Sequence, residues 1–193
     1  VHGAGRVAAI DQLDLAAANV EAGDKGVAVN AYLQSTSNPK IYAAGDAADT
    51  QGAPLTPVAV FEGKVAASNM LKGNRTKPDY SGVPSAVFTV PELTRVGMLE
   101  QDAREAGHDI RVVENDTGDW YSNLRVGESC AATKVIIDKD SDTILGAHLL
   151  GPEYGEIINF FGLAIRLGLT TSDLKKMVSV YPSVGSDLGS MLS

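Results

Sequence analysis

The residues with the clearest chemical potential follow a short apolar segment. Residues 41–44 read Ile-Tyr-Ala-Ala, which is consistent with a buried strand, and Gly45 and Asp46 come directly after them. A glycine at a strand end lets a ligand approach the backbone, and the aspartate places a carboxylate at the C-terminal edge of the strand. Such a carboxylate suits the hydroxyl groups of a ribose or a ribitol. A turn aspartate without a ligand is the alternative.

A second group has the composition of a helix start. Thr56 is expected to be the N-cap, and Pro57 suits the first helical position because its missing N–H would be unpaired there anyway. From Val58 onward, residues 58–71 are expected to form a helix that is buried on most sides. The N-terminus of a helix favours negative charge, such as a flavin ring gains on reduction. An ordinary packed helix is the alternative.

Candidate nucleophiles and metal ligands are sparse. The single cysteine, Cys130, excludes an internal disulfide and a multi-cysteine metal site, and we expect an inert thiol that is at least partly buried. The 3 histidines have no spacing typical of a metal site. We expect His148 to be structural and His108 to be solvated in a loop. No metal site and no catalytic residue are therefore predicted.

The start of the chain contains a glycine pattern that matches a dinucleotide-binding fingerprint in residue types but not in its surrounding elements. Residues 3–8 read Gly-Ala-Gly-Arg-Val-Ala, but the fingerprint needs a preceding strand and a long helix after it. We interpret the pattern as a glycine turn and expect the chain to be a piece of a longer protein. No signal peptide is recognisable, and the single thiol favours a cytoplasmic location.

Composition excludes two classes of partner. The chain has 16 Lys and Arg against 24 Asp and Glu, a net charge of −8, which argues against binding to nucleic acid. No apolar run approaches the roughly 18 residues of a membrane span. A content of 44% hydrophobic and 21% charged residues is close to that of an ordinary globular protein.

The pattern of elements indicates two parts, with a boundary near residue 80 in the polar, turn-rich segment 72–80. Before it, residues 26–30 and 31–35 suggest a hairpin or two short strands. After it, residues 81–193 alternate between strands and helices, which predicts an α+β unit with a mostly antiparallel sheet. The expected strands are residues 85–90, 95–99, 109–114, 133–138 and 144–150. The expected helices are residues 100–106, 156–167 and a last one that is capped by Thr171 or Ser172 and ends at Met177.

Several of these segments, taken in order, resemble one family. Residues 41–46 followed by 55–59 resemble the second flavin-binding segment of the pyridine nucleotide–disulfide oxidoreductases, which include glutathione reductase, dihydrolipoamide dehydrogenase and mercuric reductase. The resemblance continues through the rest of the chain. It also includes Gly5-Arg6, residues 84–92 with Val96-Gly97, and residues 146–148 with 156–158.

The resemblance implies an α/β segment of an FAD-binding domain in residues 1–80, followed by an α+β dimerisation domain in residues 81–193 that pairs two subunits. It implies that Asp46, next to Gly45, lies at the ribityl or phosphate side of FAD. The helix start at Thr56, Pro57 and Val58 would face the flavin ring. In the family, electrons pass from NAD(P)H through FAD to a redox-active cysteine pair and then to the substrate.

The sequence departs from the family at its catalytic end. The family's catalytic His-Pro-Thr aligns with residues 181–183, so Tyr181 replaces the histidine, and Ser186 replaces the glutamate that follows. A tyrosine is a poor base at neutral pH, and a packed interface tyrosine is the default interpretation. Asp187 is adjacent and is a possible partial substitute for the carboxylate. This departure puts the usual dithiol-linked chemistry in doubt.

The family's first FAD loop, cysteine pair and NAD(P) domain all precede the segments matched here. We therefore expect the chain alone to be inactive, with weak or absent affinity for FAD. Two alternatives remain at this stage. One is a non-catalytic dimerising module of the same fold, and the other is a parent flavoenzyme that reduces a quinone or oxygen.

Overall fold

A computed structural model gives the fold of Gly3 and residues 5–193, in which the chain divides into two units, Val1–Tyr80 and Ser81–Ser193. Val1, His2 and Ala4, and with them part of the expected glycine turn, lie outside the described residues. Within the described residues, no helix combines the length and the apolar character that crossing a membrane requires.

The first unit contains a small sheet of three short strands. Strand β1 is Ala22–Gly23, β2 is Gly26–Ala28 and β3 is Ala48–Asp49; β2 pairs antiparallel with β1 and parallel with β3. Of the two alternatives for residues 26–35, the structure favours the hairpin. Residues 31–35 form no regular strand; the chain turns back there, and an isolated antiparallel bridge pairs Ser35 with Val29.

The segment before Gly45 does not form a regular strand, contrary to expectation. Tyr42 makes a single bridge to Gln34, and the chain then enters a 3₁₀ turn at Gly45–Ala47. Gly45 has a φ of +64°, in the left-handed region, so the backbone changes direction there. The strand that pairs with β2 therefore comes after the turn, at Ala48–Asp49, rather than before it.

Helix α1, Thr56–Lys72, is the main element of the first unit. Its N-cap is Leu55, so Thr56 is the first helical residue and not the cap that the sequence suggested. The expected burial on most sides was also wrong, because Leu71 and Met70 are exposed. One face alone is buried, at the three- and four-residue spacing of a helix: Val58, Glu62, Val65, Ala66 and Asn69.

The segment that follows α1 has no regular structure but is tied to the helix. The Asn69 side-chain amide donates hydrogen bonds to the carbonyls of Tyr32 and Thr76, and its oxygen accepts from the backbone N–H groups of Arg75 and Thr76. Tyr80, at the end of this segment, also donates a hydrogen bond to Glu62, so the segment interpreted from sequence as a linker is held against the buried face of α1 at two points.

The second unit is built on a five-stranded antiparallel sheet, which confirms the predicted fold class. The strands are β4 (Ser85–Val87), β5 (Glu92–Gly97), β6 (Ile110–Asp116), β7 (Ala132–Asp138) and β8 (Ile144–Gly151). Their order in the sheet is β4-β5-β8-β7-β6. Val96 and Val135, on the two strands that flank β8, both pair with Ala147, so the most buried residues meet at the centre of the sheet.

Five helices accompany this sheet: α2 (Glu100–Glu105), α3 (Tyr121–Leu124), α4 (Tyr154–Leu167), α5 (Thr171–Leu174) and α6 (Leu188–Met191). Helix α4 packs on β5 and β8 and places Phe161 in the main core. The expected last helix differs in both of its ends. Thr170 caps α5 through a capping box with Asp173, and the helix ends at Leu174, before the predicted Met177.

Candidate functional site

A cavity of about 500 Å³ in the first unit brings together three of the five candidate residues. Gly45, Asp46 and Val58 line it, whereas Thr56 and Pro57 are exposed at the start of α1 and are not among its lining residues. The remaining lining residues are Gly5, Arg6, Val7, Ala8, Asp24, Lys25, Ala48, Asp49, Thr50, Gly52, Ala53, Pro54 and Glu62. The turn at Gly45 and the first turn of α1 therefore share one concave surface.

The Asp46 side chain is about half exposed, and one of its carboxylate oxygens lies 3.8 Å from the Arg6 guanidinium. An ion pair this exposed contributes little to stability, so the carboxylate is not committed to a structural contact. A carboxylate accepts hydrogen bonds through both oxygens, which suits the hydroxyls of a polyol chain.

The start of α1 lacks a side-chain cap. Its N-cap residue, Leu55, has no polar side chain, and the Ala59 N–H donates to the Leu55 carbonyl as the first intrahelical bond. The N–H of Val58 lies one residue before that of Ala59 and is one of the N–H groups in the first turn that have no intrahelical acceptor. Because the Val58 side chain lines the cavity, a partial positive charge is available near its wall.

Sequence reasoning missed Glu62, whose side chain is fully buried at the same cavity. Its carboxylate accepts hydrogen bonds from the Gly45 N–H at 2.6 Å, the Thr50 hydroxyl at 2.8 Å and the Tyr80 hydroxyl at 2.6 Å. Burial, followed by the bond to Glu62, raises the pKa of Tyr80 to about 12, so this phenol keeps its proton. The available signal was spacing, since Glu62 follows Val58 by one helical turn.

The positions that resemble the family's catalytic pair form other contacts. Tyr181 is exposed and its ring stacks on Tyr121. The Ser186 hydroxyl donates to the Ser183 carbonyl, and the Asp187 carboxylate accepts a hydrogen bond from Ser122. Each of the three side chains is thus engaged with a different neighbour.

Two expectations about single side chains were wrong. Cys130 is exposed rather than buried, because it lies in the irregular segment just before β7. His108 is not simply solvated, since its Nδ1 lies 2.8 Å from a carboxylate oxygen of Asp138. Hydrogen bonds from the Ser141 backbone and the His108 ring lower the pKa of Asp138 to about 2.

His148 has the structural environment expected of it. Its Nε2 lies 3.1 Å from the Met98 carbonyl, and burial lowers its pKa, which favours the neutral ring. Among the described residues, no group of three or more His, Cys, Asp or Glu side chains is arranged to hold a metal ion.

Comparison with known proteins identifies relatives along nearly all of the chain. A 19.7 kDa protein from the mercuric resistance operon of Staphylococcus aureus is 51% identical over 180 residues, which are 93% of this chain and 100% of that protein. Mercuric reductase from Staphylococcus aureus is 35% identical over 185 residues, 95% of this chain but 33% of the enzyme.

Solved structures agree with these relatives. The copper(II) complex of the HOCl-induced flavoprotein disulfide reductase RclA from Escherichia coli superimposes with a TM-score of 0.88 at 29% identity, over 98% of this chain and 43% of that one. The chain therefore spans less than half the length of these reductases. Residues 83–191 match the family described as pyridine nucleotide-disulphide oxidoreductase, dimerisation domain. On this match, which takes in more than half of its residues, the chain belongs to the pyridine nucleotide-disulphide oxidoreductase family.

Proposed function

We propose that this chain supplies one face of an FAD site, through residues 1–80, and the homodimer interface, through residues 81–193, of a flavoprotein oxidoreductase. In the parent enzyme, electrons would pass from NAD(P)H through FAD to a disulfide or another acceptor. FAD supplies the redox chemistry when it is bound, and this chain's residues orient it. The observation that carries the proposal is the Asp46 carboxylate at the wall of the cavity next to the start of α1.

The donor set fits the flavin half of FAD. The Asp46 carboxylate can accept hydrogen bonds from ribityl hydroxyls, with Gly45 allowing close approach of the backbone. The Val58 N–H and the dipole of α1 favour negative charge, which suits the pyrimidine edge of a reduced flavin. Thr56 and Pro57 serve as the exposed first turn of that helix, and no direct contact is required of them.

The dimer part of the proposal is supported by apolar side chains that the second unit exposes to water. Val178 and Val180 are 96% and 81% exposed, and Tyr181 beside them is 75% exposed. Helix α4 exposes Leu163 and Leu167 in addition to its buried face. Exposed apolar groups of this size mark interaction surfaces, and aromatic residues are enriched at interfaces.

We further propose that this chain alone does not oxidise NAD(P)H and binds FAD weakly. As the family resemblance implies, the elements that hold the adenine end of FAD and the pyridine nucleotide precede the segments matched here. A site that contacts one side of a ligand keeps only part of the binding free energy, while the entropic cost of association is still incurred.

The test is a titration of the isotope-labelled chain with FMN, followed by amide NMR signals. FMN should shift the signals of Gly45, Asp46 and Val58, and AMP, which lacks the ribityl chain, should leave them unchanged. Asp46→Ala should weaken the response to FMN about tenfold, as expected for loss of a charged hydrogen-bond acceptor. Asp102→Ala, in α2 of the second unit, serves as the matched control and should leave the response unchanged.

The outcomes separate the proposal from the non-catalytic module. A dimeric chain that responds equally to FMN and AMP, or to neither, would support the module and overturn the flavin part. Oxidation of NAD(P)H by the purified chain would contradict its proposed inactivity. A strictly monomeric chain at micromolar concentration would overturn the interface assigned to residues 81–193.

A further inference from the structure

Glu62 is a fully buried acidic residue for which the family resemblance gave no role. A buried carboxylate is costly unless hydrogen bonds replace its lost hydration. Glu62 Oε2 accepts from one donor, Gly45 N–H, and Oε1 accepts from two, the hydroxyls of Thr50 and Tyr80. All three donors are neutral, so the carboxylate is held by directional hydrogen bonds and not by an ion pair.

The three donors come from separate parts of the first unit. Gly45 opens the 3₁₀ turn, Thr50 follows β3 directly, and Tyr80 is the last residue of the unit. The Thr50 hydroxyl also accepts a hydrogen bond from the Gly52 N–H, which extends the connection into the loop before α1. A single helical side chain thus joins both ends of the turn and strand that carry Asp46 and line the cavity.

Two glycines allow this close approach. A Cβ on Gly45 would lie 2.7 Å from the Ala59 Cβ, and its φ of +64° disfavours any other residue. A Cβ on Gly52 would lie 2.6 Å from Glu62 Oε1. The backbone is therefore packed directly against the carboxylate and against α1 on both sides of Asp46.

We propose that Glu62 is the positioning residue of this site: by accepting the Gly45 N–H, its carboxylate fixes the turn that aims Asp46 into the cavity. The proposal rests on the proposed function for the identity of the ligand, but the hydrogen bond itself does not depend on that ligand. Gly45 immediately precedes Asp46 in the chain. Fixing the Gly45 amide therefore restricts the backbone from which the Asp46 side chain extends.

The experiment measures amide hydrogen exchange by NMR in the unchanged 193-residue chain and in two variants. Glu62→Leu removes both acceptor oxygens, and with them all three hydrogen bonds, at similar volume, and Gly45 exchange should become about tenfold faster or more. Tyr80→Phe removes one donor but leaves the bond to Gly45, so Gly45 exchange should stay within about twofold. The amides of Val65 and Ala66, inside α1, report global stability and serve as the internal reference.

A purely structural role predicts a different pattern. If Glu62 contributes only to overall stability, Glu62→Leu will accelerate Gly45, Val65 and Ala66 together, and that result overturns the proposal. In the unchanged chain, a scalar coupling across the hydrogen bond should connect the Gly45 amide nitrogen with the Glu62 carboxyl carbon. This second measurement requires no variant to fold, and absence of the coupling also overturns the proposal.

FMN titration of the same variants separates this inference from the proposed function. Glu62→Leu should weaken the Asp46 response to FMN about tenfold, and Tyr80→Phe should leave it nearly unchanged. If the unchanged chain does not respond to FMN, the flavin site is wrong, whereas Gly45 exchange still decides whether Glu62 fixes the turn. If FMN binds equally well to all variants, Glu62 has no positioning role.

Discussion

The ring of Tyr181 stacks on the ring of Tyr121, with their centroids 6.4 Å apart and their planes inclined by 21°. This contact connects the segment after α5 with α3, and both side chains remain more than half exposed. Where the family resemblance leads to a histidine, this chain therefore presents a paired aromatic surface. Two rings that are packed together but open to solvent are suited to contact another protein surface.

This pair leads to the first prediction. Tyr181→Ala should weaken self-association about tenfold or more, because tyrosines that become buried when two subunits associate are frequent hot spots of interfaces. Sedimentation equilibrium measures the dissociation constant. Leu71→Ala, 84% exposed at the end of α1 in the first unit, is the control and should change it by less than about twofold. Equal effects of the two substitutions would contradict an interface at Tyr181.

Adjacent phenylalanines on α4 give a second prediction. Phe161 is fully buried in the main core, and Phe161→Ala should lower the free energy of unfolding by about 3–5 kcal/mol. Phe160 is 37% exposed, so Phe160→Ala should cost clearly less. Urea unfolding measures both. Similar losses for the two variants would show that the helix does not present the faces described.

The third prediction concerns the acid side of the stability profile. The pKa of Asp138 is lowered from 3.8 to about 2 by hydrogen bonds from Ser141 and His108. A lowered pKa in the folded state stabilises the fold above pH ~4, and this contribution disappears as the pH falls through about 2. Asp138→Asn should therefore reduce stability near neutral pH and flatten the loss of stability on acidification.

Asp140→Asn is the control for that experiment, because Asp140 contacts Asp138 through its backbone N–H and not through its side chain. Thermal unfolding at a series of pH values distinguishes the variants. If the two substitutions give parallel profiles, the hydrogen bonds to the Asp138 carboxylate do not stabilise the turn.

Tyr80 gives a fourth prediction, on the alkaline side. Its pKa is raised from 10.0 to about 12 by burial and by its bond to Glu62. The neutral phenol thus stabilises the fold fully below pH ~10, and this contribution is lost as the pH rises through about 12. Ultraviolet titration should show one tyrosine that ionises at a higher pH than an ordinary tyrosine, and this component should be missing in Tyr80→Phe. If the two titrations coincide, the phenol is not held as described.

The sheet and the long helices of the second unit could be predicted because their patterns are strong. Its five strands alternate or form apolar runs, and Gly168, at a φ of +62°, ends α4 as expected. Boundaries that depend on caps were less predictable. Thr170, Thr171 and Ser172 can all accept the required hydrogen bond, and tertiary contacts decide among them: Asp142 accepts from Thr171 and Ser172, which leaves Thr170 as the cap.

The candidate site was predictable only in part. The residue types of Gly45 and Asp46 indicate the turn. The apolar residues before them do not distinguish a regular strand from an isolated bridge, because both favour the same residue types. Glu62 could not be recognised by type, because an acidic residue in a helix is usually solvated. Its burial depends on donors from Gly45, Thr50 and Tyr80, which lie 12 to 18 residues away.

The order β4-β5-β8-β7-β6 places the last strand to be synthesised in the middle of its sheet. Until residues 144–151 leave the ribosome, the earlier strands can form only two antiparallel pairs, β4 with β5 and β6 with β7, which do not pair with each other. β8 then pairs with β7 across a short turn, but its pairing with β5, which joins the two halves, is distant in the chain and is a slow type of step. A nascent chain arrested before Ile144 would therefore expose four strand edges instead of two, and exposed edges promote aggregation.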